Sequence, residues 1–246
     1  MKHGRISGNR NPFYCRLLPW IFVHMLFQQL YNTVDSVIVG RFVSKQALAA
    51  VSSTSHVVNT VIGIFTGLST GATVAIARCF GAKDGAGLEK AVHTTMALTL
   101  VMSVILTAVG MLGTPLLLKT LGTPEDVFPV ARQYLLIYFA GLSGLIFYNM
   151  LGGILRAVGD SRHPTLALVV AAAVNIVMDL VLIVGFHMGV AGAAIATIGA
   201  QYMSALYLLY LLVRTDRAYG VRLKKIAFDR DILRSIVNIG LPVGIQ

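Results

Sequence analysis

Six apolar runs, each long enough to cross a lipid bilayer, divide most of this sequence. A membrane-spanning helix needs about twenty mainly apolar residues. The runs lie approximately over residues 17–40, 47–77, 91–113, 127–155, 165–187 and 190–213. Charged residues make up only 12% of the chain, whereas a soluble domain carries about 25%. Because the chain has too little polar surface to fold in water, we predict an all-α integral membrane protein with six transmembrane helices.

The basic residues predict the orientation of these helices. Sixteen of the 20 Lys and Arg residues fall in the tail 1–16 and in or beside alternate loops, and four fall on the opposite side. Lys and Arg accumulate on the cytoplasmic side of membranes, so we place the N-terminal tail and the basic loop 214–231 in the cytoplasm. No basic cluster is interleaved with aromatic residues, so the net charge of +10 does not indicate a nucleic-acid partner.

Residues 232–246 begin a seventh apolar segment that is too short to span a bilayer. Its Leu241-Pro242 echoes Leu18-Pro19 near the start of the first run. Many transporters are built from two such repeats. The sequence therefore predicts that 17–213 forms one six-helix lobe and that the start of a second repeat follows the basic loop.

Four polar residues in three predicted helices lie at similar depths in the membrane. From the rise of an α-helix, Asp35, Asp179 and Thr197 lie roughly 9–12 Å below the outer surface. Asn175 is one turn from Asp179 on the same face. A carboxylate within a span is costly and by default marks an ion or substrate pathway. Burial and mutual repulsion favour protonation of at least one carboxylate, and the same oxygens suit a hard cation. The alternative is that these groups only hydrogen-bond the helices together.

Other polar residues follow helical spacing in the predicted spans, which is typical of a face that lines a cavity or packs on another helix. The candidate cavity-lining residues are Gln28, Tyr31, Asn32, His56, Asn59, Tyr138, Asn149 and Gln201. The sequence shows no P-loop, zinc motif or catalytic triad. We therefore predict neither an enzyme nor a bound cofactor, and expect Na⁺ or H⁺ as the coupling ion.

Several stretches match a known family in the order of that family. They are QQLYNTVDSVIVGRF (28–42), LAAV (48–51), GAKD (81–84), GILRAVGDSRHP (153–164), NIVMD (175–179) and GVAGAAIATIGAQ (189–201). Together they resemble the MATE (multidrug and toxic compound extrusion) transporters, most closely the bacterial branch similar to DinF proteins. The resemblance implies a twelve-helix, two-lobe antiporter of the MOP superfamily, of which this chain is the N-terminal lobe. Such antiporters export cationic drugs or metabolites in exchange for inward Na⁺ or H⁺.

The resemblance also implies roles for particular residues. In similar members the ion site of this lobe combines an Asp of helix one, an Asn and an Asp of helix five, and a Thr of helix six. The matching positions are Asp35, Asn175, Asp179 and Thr197. The resemblance places Tyr138 near this site and makes Pro19 the candidate hinge. It implies the bacterial inner membrane, small cationic organic substrates, and a partner that is either a missing C-terminal lobe or a second copy.

Two other functions are consistent with a chain of this class. A lipid-linked precursor flippase of the same superfamily would need a strongly basic central cavity, and the predicted spans contain almost no Lys or Arg. A non-transporting half-gene scaffold would tolerate apolar replacement of the group around Asp35. We favour the ion-coupled efflux antiporter over both.

Overall fold

The computed structural model describes residues 19–20, 22–30, 33, 37, 63 and 65–245, and these are helical or irregular with no strand among them. Besides the helical stretches 22–30 and 65–81, the helices are α1 (Gly85–Thr120), α2 (Phe128–Ala140), α3 (Leu142–Ala157), α4 (Arg162–Asp179), α5 (Gly189–Arg214) and α6 (Arg230–Ile245). A π-helical segment, Leu180–Gly185, continues α4, and a short 3-10 helix, Leu223–Lys225, precedes α6. Helix α1, α4 with its π-helical continuation, and α5 are each long and apolar enough to cross a membrane, and α2 with α3 make a fourth span if that bent pair is one. The predicted all-α membrane fold is confirmed.

Helix α1 extends well beyond the apolar run that predicted it. The carboxylate of Asp84 accepts a hydrogen bond from the N–H of Gly87 at 2.9 Å and so caps the first turn. The 36 residues of α1 have a length of about 54 Å, whereas the hydrocarbon core of a bilayer is about 30 Å thick. The helix ends in a Schellman turn, in which Gly122 adopts a positive φ of 63°. The predicted span 91–113 is therefore the central part of a longer helix.

The fourth predicted span consists of two helices. Helices α2 and α3 meet at Gly141 with a bend of 43°. A β-carbon at Gly141 would overlap the side chain of Ile198 on α5. Because glycine has no side chain, α5 packs directly into the bend.

The candidate site lies in a bundle in which α5 contacts α2, α3 and α4, while α1 packs on α2 and α3. The side chains at the centre of the two hydrophobic clusters are at most 2% exposed and include Phe65, Leu135, Phe139, Ile146, Ile76, Met96, Leu151 and Leu208. By contrast, Val104 and Leu112 of α1 and Val177 of α4 are largely exposed. Exposed apolar side chains on a helix of this length are expected where the helix faces lipid.

Helix α6 crosses the helical stretch 65–81 at a contact to which both helices contribute glycines. Each partner has two glycines four residues apart, Gly67 and Gly71 on one and Gly240 and Gly244 on the other. A β-carbon at Gly240 would lie 2.7 Å from the carbonyl oxygen of Gly67 and 2.8 Å from the Cα of Leu68. Small residues at this spacing let two helix backbones approach closely. The segment predicted to begin a seventh helix is thus packed against the second predicted span.

Residues 215–229, which join α5 to α6 and are called the linker below, are docked on α1. The buried His93 accepts a hydrogen bond at Nε2 from the N–H of Arg222, at 3.1 Å. This leaves Nδ1 as the protonated nitrogen, which donates to the carbonyl oxygen of Glu89 at 2.7 Å. The hydroxyl of Thr94 accepts from the N–H of Asp229 at 3.0 Å. Side chains of α1 therefore satisfy main-chain groups in the middle of the linker and at its C-terminal end.

Two ion pairs lie at the same contact. Lys225 Nζ lies 2.6 Å from Glu89 Oε1, and Lys90 Nζ lies 3.5 Å from Asp229 Oδ2. Asp229 Oδ1 also accepts a hydrogen bond from the N–H of Ile232 at 3.2 Å. This backbone hydrogen bond and then Lys90 lower the pKa of Asp229 from its ordinary value, against an opposing effect of desolvation. The ionised form of Asp229 is therefore the form that suits the docked linker.

Candidate functional site

Asn175, Asp179 and Thr197 meet between α4 and α5. Asn175 and Asp179 lie one turn apart on α4, and both are fully buried. In the amide orientation that satisfies its neighbours, the Asn175 nitrogen donates to Asp179 Oδ2 at 3.2 Å, and the Asn175 oxygen accepts from the N–H of Thr197 at 3.2 Å. The hydroxyl of the half-buried Thr197 donates to the carbonyl oxygen of Ala193 at 3.0 Å. The amide of Asn175 therefore links a carboxylate of α4 to the backbone of α5.

The surroundings of Asp179 make its negative charge costly. The packed faces of α4 and α5 contain a series of small buried residues: Ala171, Ala172, Ala193, Ala194 and Ala196. Such residues let two membrane helices pack closely and offer no charge of their own. A carboxylate buried in a membrane protein needs a compensating positive charge or a proton. Carboxylate, amide and hydroxyl oxygens are also the ligands that hard cations prefer, so the group suits reversible binding of a proton or a small cation.

The π-helical segment begins directly after Asp179. Within Leu180–Gly185 the chain follows the wider π-helical turn, and beyond it the N–H of Phe186 donates to the carbonyl oxygen of Val181 at 2.9 Å. Short π-helical segments occur frequently at functional sites. The change of helix type is therefore a second feature, independent of the polar residues, that distinguishes this end of α4.

The other predicted site residues are divided between the described and the undescribed parts of the chain. Those outside the described residues are Asp35, Tyr31, Asn32, His56 and Asn59. The proximity of Asp35 to Asp179 therefore stays a prediction. Gln28 is half-buried in the helical stretch 22–30, Gln201 is half-buried one turn after Thr197, and the candidate hinge Pro19 is exposed.

Two candidate cavity-lining residues have packing partners. Tyr138, half-buried in α2, stacks on Tyr134 with the ring centroids 6.0 Å apart. The amide of Asn149 donates to the carbonyl oxygen of Leu145 at 2.9 Å. The carbonyl oxygen of Asn149 accepts from the hydroxyl of Ser69 at 3.4 Å. The contacts of Asn149 thus belong to the packing of α3 on the helical stretch 65–81.

Two sets of residues with clear structural roles were not predicted from the sequence. His93 anchors the linker, and nothing in its local sequence indicates a partner 129 residues away. The glycine pairs of the α6 crossing did leave a signal, because Gly67 and Gly71 repeat the four-residue spacing of Gly240 and Gly244.

Comparison with known proteins agrees with the geometry of the fold. The MatE family model matches residues 21–181. Over 219 residues the chain is 31% identical to the probable multidrug resistance protein YpnP of Bacillus subtilis (strain 168), covering 89% of this chain and 49% of that protein. Over 209 residues it is 27% identical to a protein named FAD transporter of Shewanella oneidensis, covering 82% of this chain and 45% of that protein. The chain thus spans about half the length of the curated relatives it matches.

A solved structure supports the same assignment. The outward-facing conformation of a multidrug resistance MATE family transporter of the MOP superfamily matches with a TM-score of 0.88 at 31% identity. The match covers 95% of this chain and 52% of that one, which is consistent with the predicted N-terminal half. From the family model, which covers well over half of the chain, and from this shared fold, we conclude that the chain belongs to the MatE family of multidrug transporters.

Proposed function

We propose that this chain is one lobe of a secondary active efflux antiporter and that Asp179, Asn175 and Thr197 bind its coupling ion, together with Asp35. The observation that supports this most directly is the amide of Asn175, which holds the buried carboxylate of Asp179 against the backbone of α5. The ion is Na⁺ or H⁺. A proton neutralises the carboxylate of Asp179 by binding to it, and Na⁺ neutralises it by coordination to the oxygens of the group.

Such a group ties ion occupancy to the packing of two helices. When Asp179 is ionised, its hydrogen bond from Asn175 is charge-assisted and strong. Binding of a proton or a cation weakens that bond, and it thereby changes the contact between α4 and α5 that runs through Thr197. An ion shifts a conformational equilibrium only if it binds the two conformations differently. The amide bridge supplies a physical origin for that difference.

We propose small cationic drugs or metabolites as the substrates, in line with the multidrug relatives. A second candidate is an anionic metabolite, because one relative is named FAD transporter. The side chain of Arg156 favours this candidate, since its Nη2 reaches back along α3 to within 3.5 Å of the carbonyl oxygen of Asn149. A cation in the lobe would attract an anionic substrate and repel a cationic one.

We further propose that transport requires a second lobe. The chain spans about half of its relatives, and two-lobe transporters expose their site alternately by moving one half against the other. The second lobe is either a C-terminal lobe or a second copy of this chain.

The experiment measures ethidium efflux from energised cells that express this chain alone or with the second half of a full-length relative. We expect efflux only with the second lobe, and a loss of at least tenfold in Asp179→Asn. The matched control is Asp126→Asn, which makes the same change at an exposed carboxylate between α1 and α2. Efflux by the chain alone would assign the second lobe to another copy. The proposed ion site is wrong if Asp179→Asn pumps as fast as the wild type.

The same cells separate the remaining alternatives. Efflux driven by an imposed Na⁺ gradient or by an imposed pH gradient identifies the ion. Export of flavin nucleotide that is lost in Arg156→Gln, with ethidium efflux retained, would support the anionic substrate.

A further inference from the structure

A polar cavity of about 540 Å³ lies at the opposite end of α4 from Asp179. The 18 residues of α4 separate the two sites by about 27 Å. The cavity is open on one side and is lined by the loop before α4, the first part of the linker and Trp20. The residues that line it include Trp20, Asp160, Ser161, Arg162, His163 and Arg217. The positive-inside rule puts this end of the lobe at the cytoplasmic surface.

The loop before α4 is held in place by the end of α3. Gly159 adopts a positive φ of 87°. Its N–H donates to the carbonyl oxygen of Arg156 at 3.0 Å, and the N–H of Asp160 donates to the carbonyl oxygen of Leu155 at 2.9 Å. These two bonds form a Schellman turn. The hydroxyl of Thr165 lies 2.8 Å from the carbonyl oxygen of Ser161 and 3.3 Å from that of Trp20. Its single proton is shared between the two, and the longer contact places the tryptophan beside α4. Main-chain hydrogen bonds therefore position the loop that forms one wall of the cavity.

Two arginines give the cavity a positive charge. The guanidinium of Arg162 lies over the ring of Trp20, 5.9 Å from its centroid. Arg217 reaches the cavity from the linker. Within the part of the chain that the structure describes, neither arginine is paired with a carboxylate. Asp160 faces His163, whose Nδ1 lies 2.6 Å from Asp160 Oδ2, so this carboxylate is engaged by its own loop and not by either arginine.

Ser161 points to a ligand of particular chemistry. The residue is only 5% exposed and lines the cavity, and its hydroxyl has no hydrogen-bonding partner among the described residues. A serine at this position normally caps the helix, but here Asp160 takes that role, because its Oδ1 accepts from the N–H of His163 at 3.2 Å. Buried hydroxyls usually have a partner; three threonine hydroxyls elsewhere among the described residues also lack one, but Ser161 alone of these four lines the cavity with the two arginines. At the N-terminus of a helix, beside two arginines, it is suited to an anionic oxygen.

We propose that this cavity binds a phosphate group, with Arg162 and Arg217 supplying charge and Ser161 supplying a hydroxyl donor. Arginine matches phosphate in geometry, because its planar fork donates two parallel hydrogen bonds. The phosphate comes either from the headgroup of an anionic lipid in the cytoplasmic leaflet or from a soluble phosphate ester. Both sources present the same terminal oxygens, and the experiment separates them.

The sequence contains one tryptophan, Trp20, so its fluorescence reports on this cavity without labelling. We would titrate the purified chain in maltoside micelles with inorganic phosphate and glycerol phosphate at constant ionic strength. In a parallel titration we would add phosphatidic acid to the micelles. Diacylglycerol, which lacks the phosphate, is the control lipid. We expect a saturable change in emission with the phosphate compounds and none with chloride or diacylglycerol. Saturation at lower concentration by phosphatidic acid than by glycerol phosphate assigns a lipid source, and the reverse assigns a soluble ester.

Matched variants test the residues. Arg217→Gln should raise the dissociation constant at least tenfold, while Arg230→Gln, which removes an exposed arginine outside the cavity, should change it less than twofold. Ser161→Ala keeps all charges and should weaken binding several-fold. Circular dichroism checks that each variant is folded. The proposal is wrong if no phosphate compound gives saturation, or if Arg217→Gln and Arg230→Gln weaken binding equally.

Discussion

The glycine crossing between α6 and the helical stretch 65–81 gives the sharpest test of the packing. A β-carbon at Gly71 would overlap the carbonyl oxygen of Ile236 and lie 2.9 Å from the nitrogen of Gly240. Both are backbone atoms, so no side chain can move aside. Among the described residues, the nearest atom to a β-carbon at Gly63, two turns earlier, would be the carbonyl oxygen of Gly244 at 3.5 Å, which is ordinary contact. Substitution by alanine therefore adds a methyl group that overlaps backbone atoms at Gly71 but not at Gly63.

The difference between Gly71→Ala and Gly63→Ala isolates the cost of that overlap. Replacing glycine by alanine within a helix stabilises it by about 1 kcal/mol, and this gain is common to both variants. Overpacking at Gly71 opposes it by about 1–3 kcal/mol. For a chain of this size the melting temperature of Gly71→Ala should fall below that of Gly63→Ala by about 2–12 °C. The measurement is thermal unfolding in maltoside, followed by circular dichroism.

A second substitution on the other helix provides an internal control. Gly240→Ala should also lower the melting temperature, because its β-carbon would lie 2.7 Å from the carbonyl oxygen of Gly67. Once one methyl group has separated the helices, a second costs less, so the double variant Gly71→Ala/Gly240→Ala should be less destabilised than the sum of the two. Equal melting temperatures for Gly71→Ala and Gly63→Ala would refute the close crossing.

Two predictions concern the linker. The pKa of Asp229 is lowered in the folded chain. The ionised carboxylate therefore stabilises the docked linker fully above the ordinary aspartate pKa of about 3.9, and this stabilisation is lost as the pH falls through the lowered pKa. Hydrogen exchange of the linker, corrected for intrinsic rate, should therefore rise below about pH 4, and Asp229→Asn should remove this rise. His93→Phe removes the partner of the N–H of Arg222, which costs about 0.5–1.5 kcal/mol because Arg222 is exposed and water can replace the histidine, so trypsin should cut the linker several-fold faster. Glu89→Gln removes only a solvent-exposed ion pair, which contributes little to stability; equal cutting of both variants would contradict the role of His93.

The membrane fold could be predicted from the sequence because composition and periodicity are local properties. A run of about twenty apolar residues has few stable alternatives to a membrane helix. The pairing of Asn175 with Asp179 follows from their spacing of four residues on one helix. Their meeting with Thr197 was predicted from equal depth, and the structure brings these three together. The fourth member, Asp35, lies outside the described residues.

Features that depend on contacts between distant segments could not be predicted in the same way. The bend at Gly141 depends on Ile198 of α5, since only the pairing of the two helices shows why a side chain is excluded there. The π-helical segment after Asp179 has the sequence of an ordinary apolar run. The linker has the composition of a solvated basic loop, and it is docked because His93 and Thr94 offer partners to its main chain. Hydropathy records neither kind of contact.

Helix α5 joins the candidate ion site to the bend within two consecutive residues. The N–H of Thr197 holds the amide of Asn175, and the next side chain, Ile198, fills the space at Gly141. One turn further on, the hydroxyl of Tyr202 hydrogen-bonds that of Ser143 on α3. Thr197 and Ile198 are consecutive residues of one helix. A rotation of α5 that lengthens the contact at Thr197 therefore also moves Ile198 relative to the bend. The contact at the candidate ion site and the contact at the joint between α2 and α3 are therefore made by neighbouring residues of one helix.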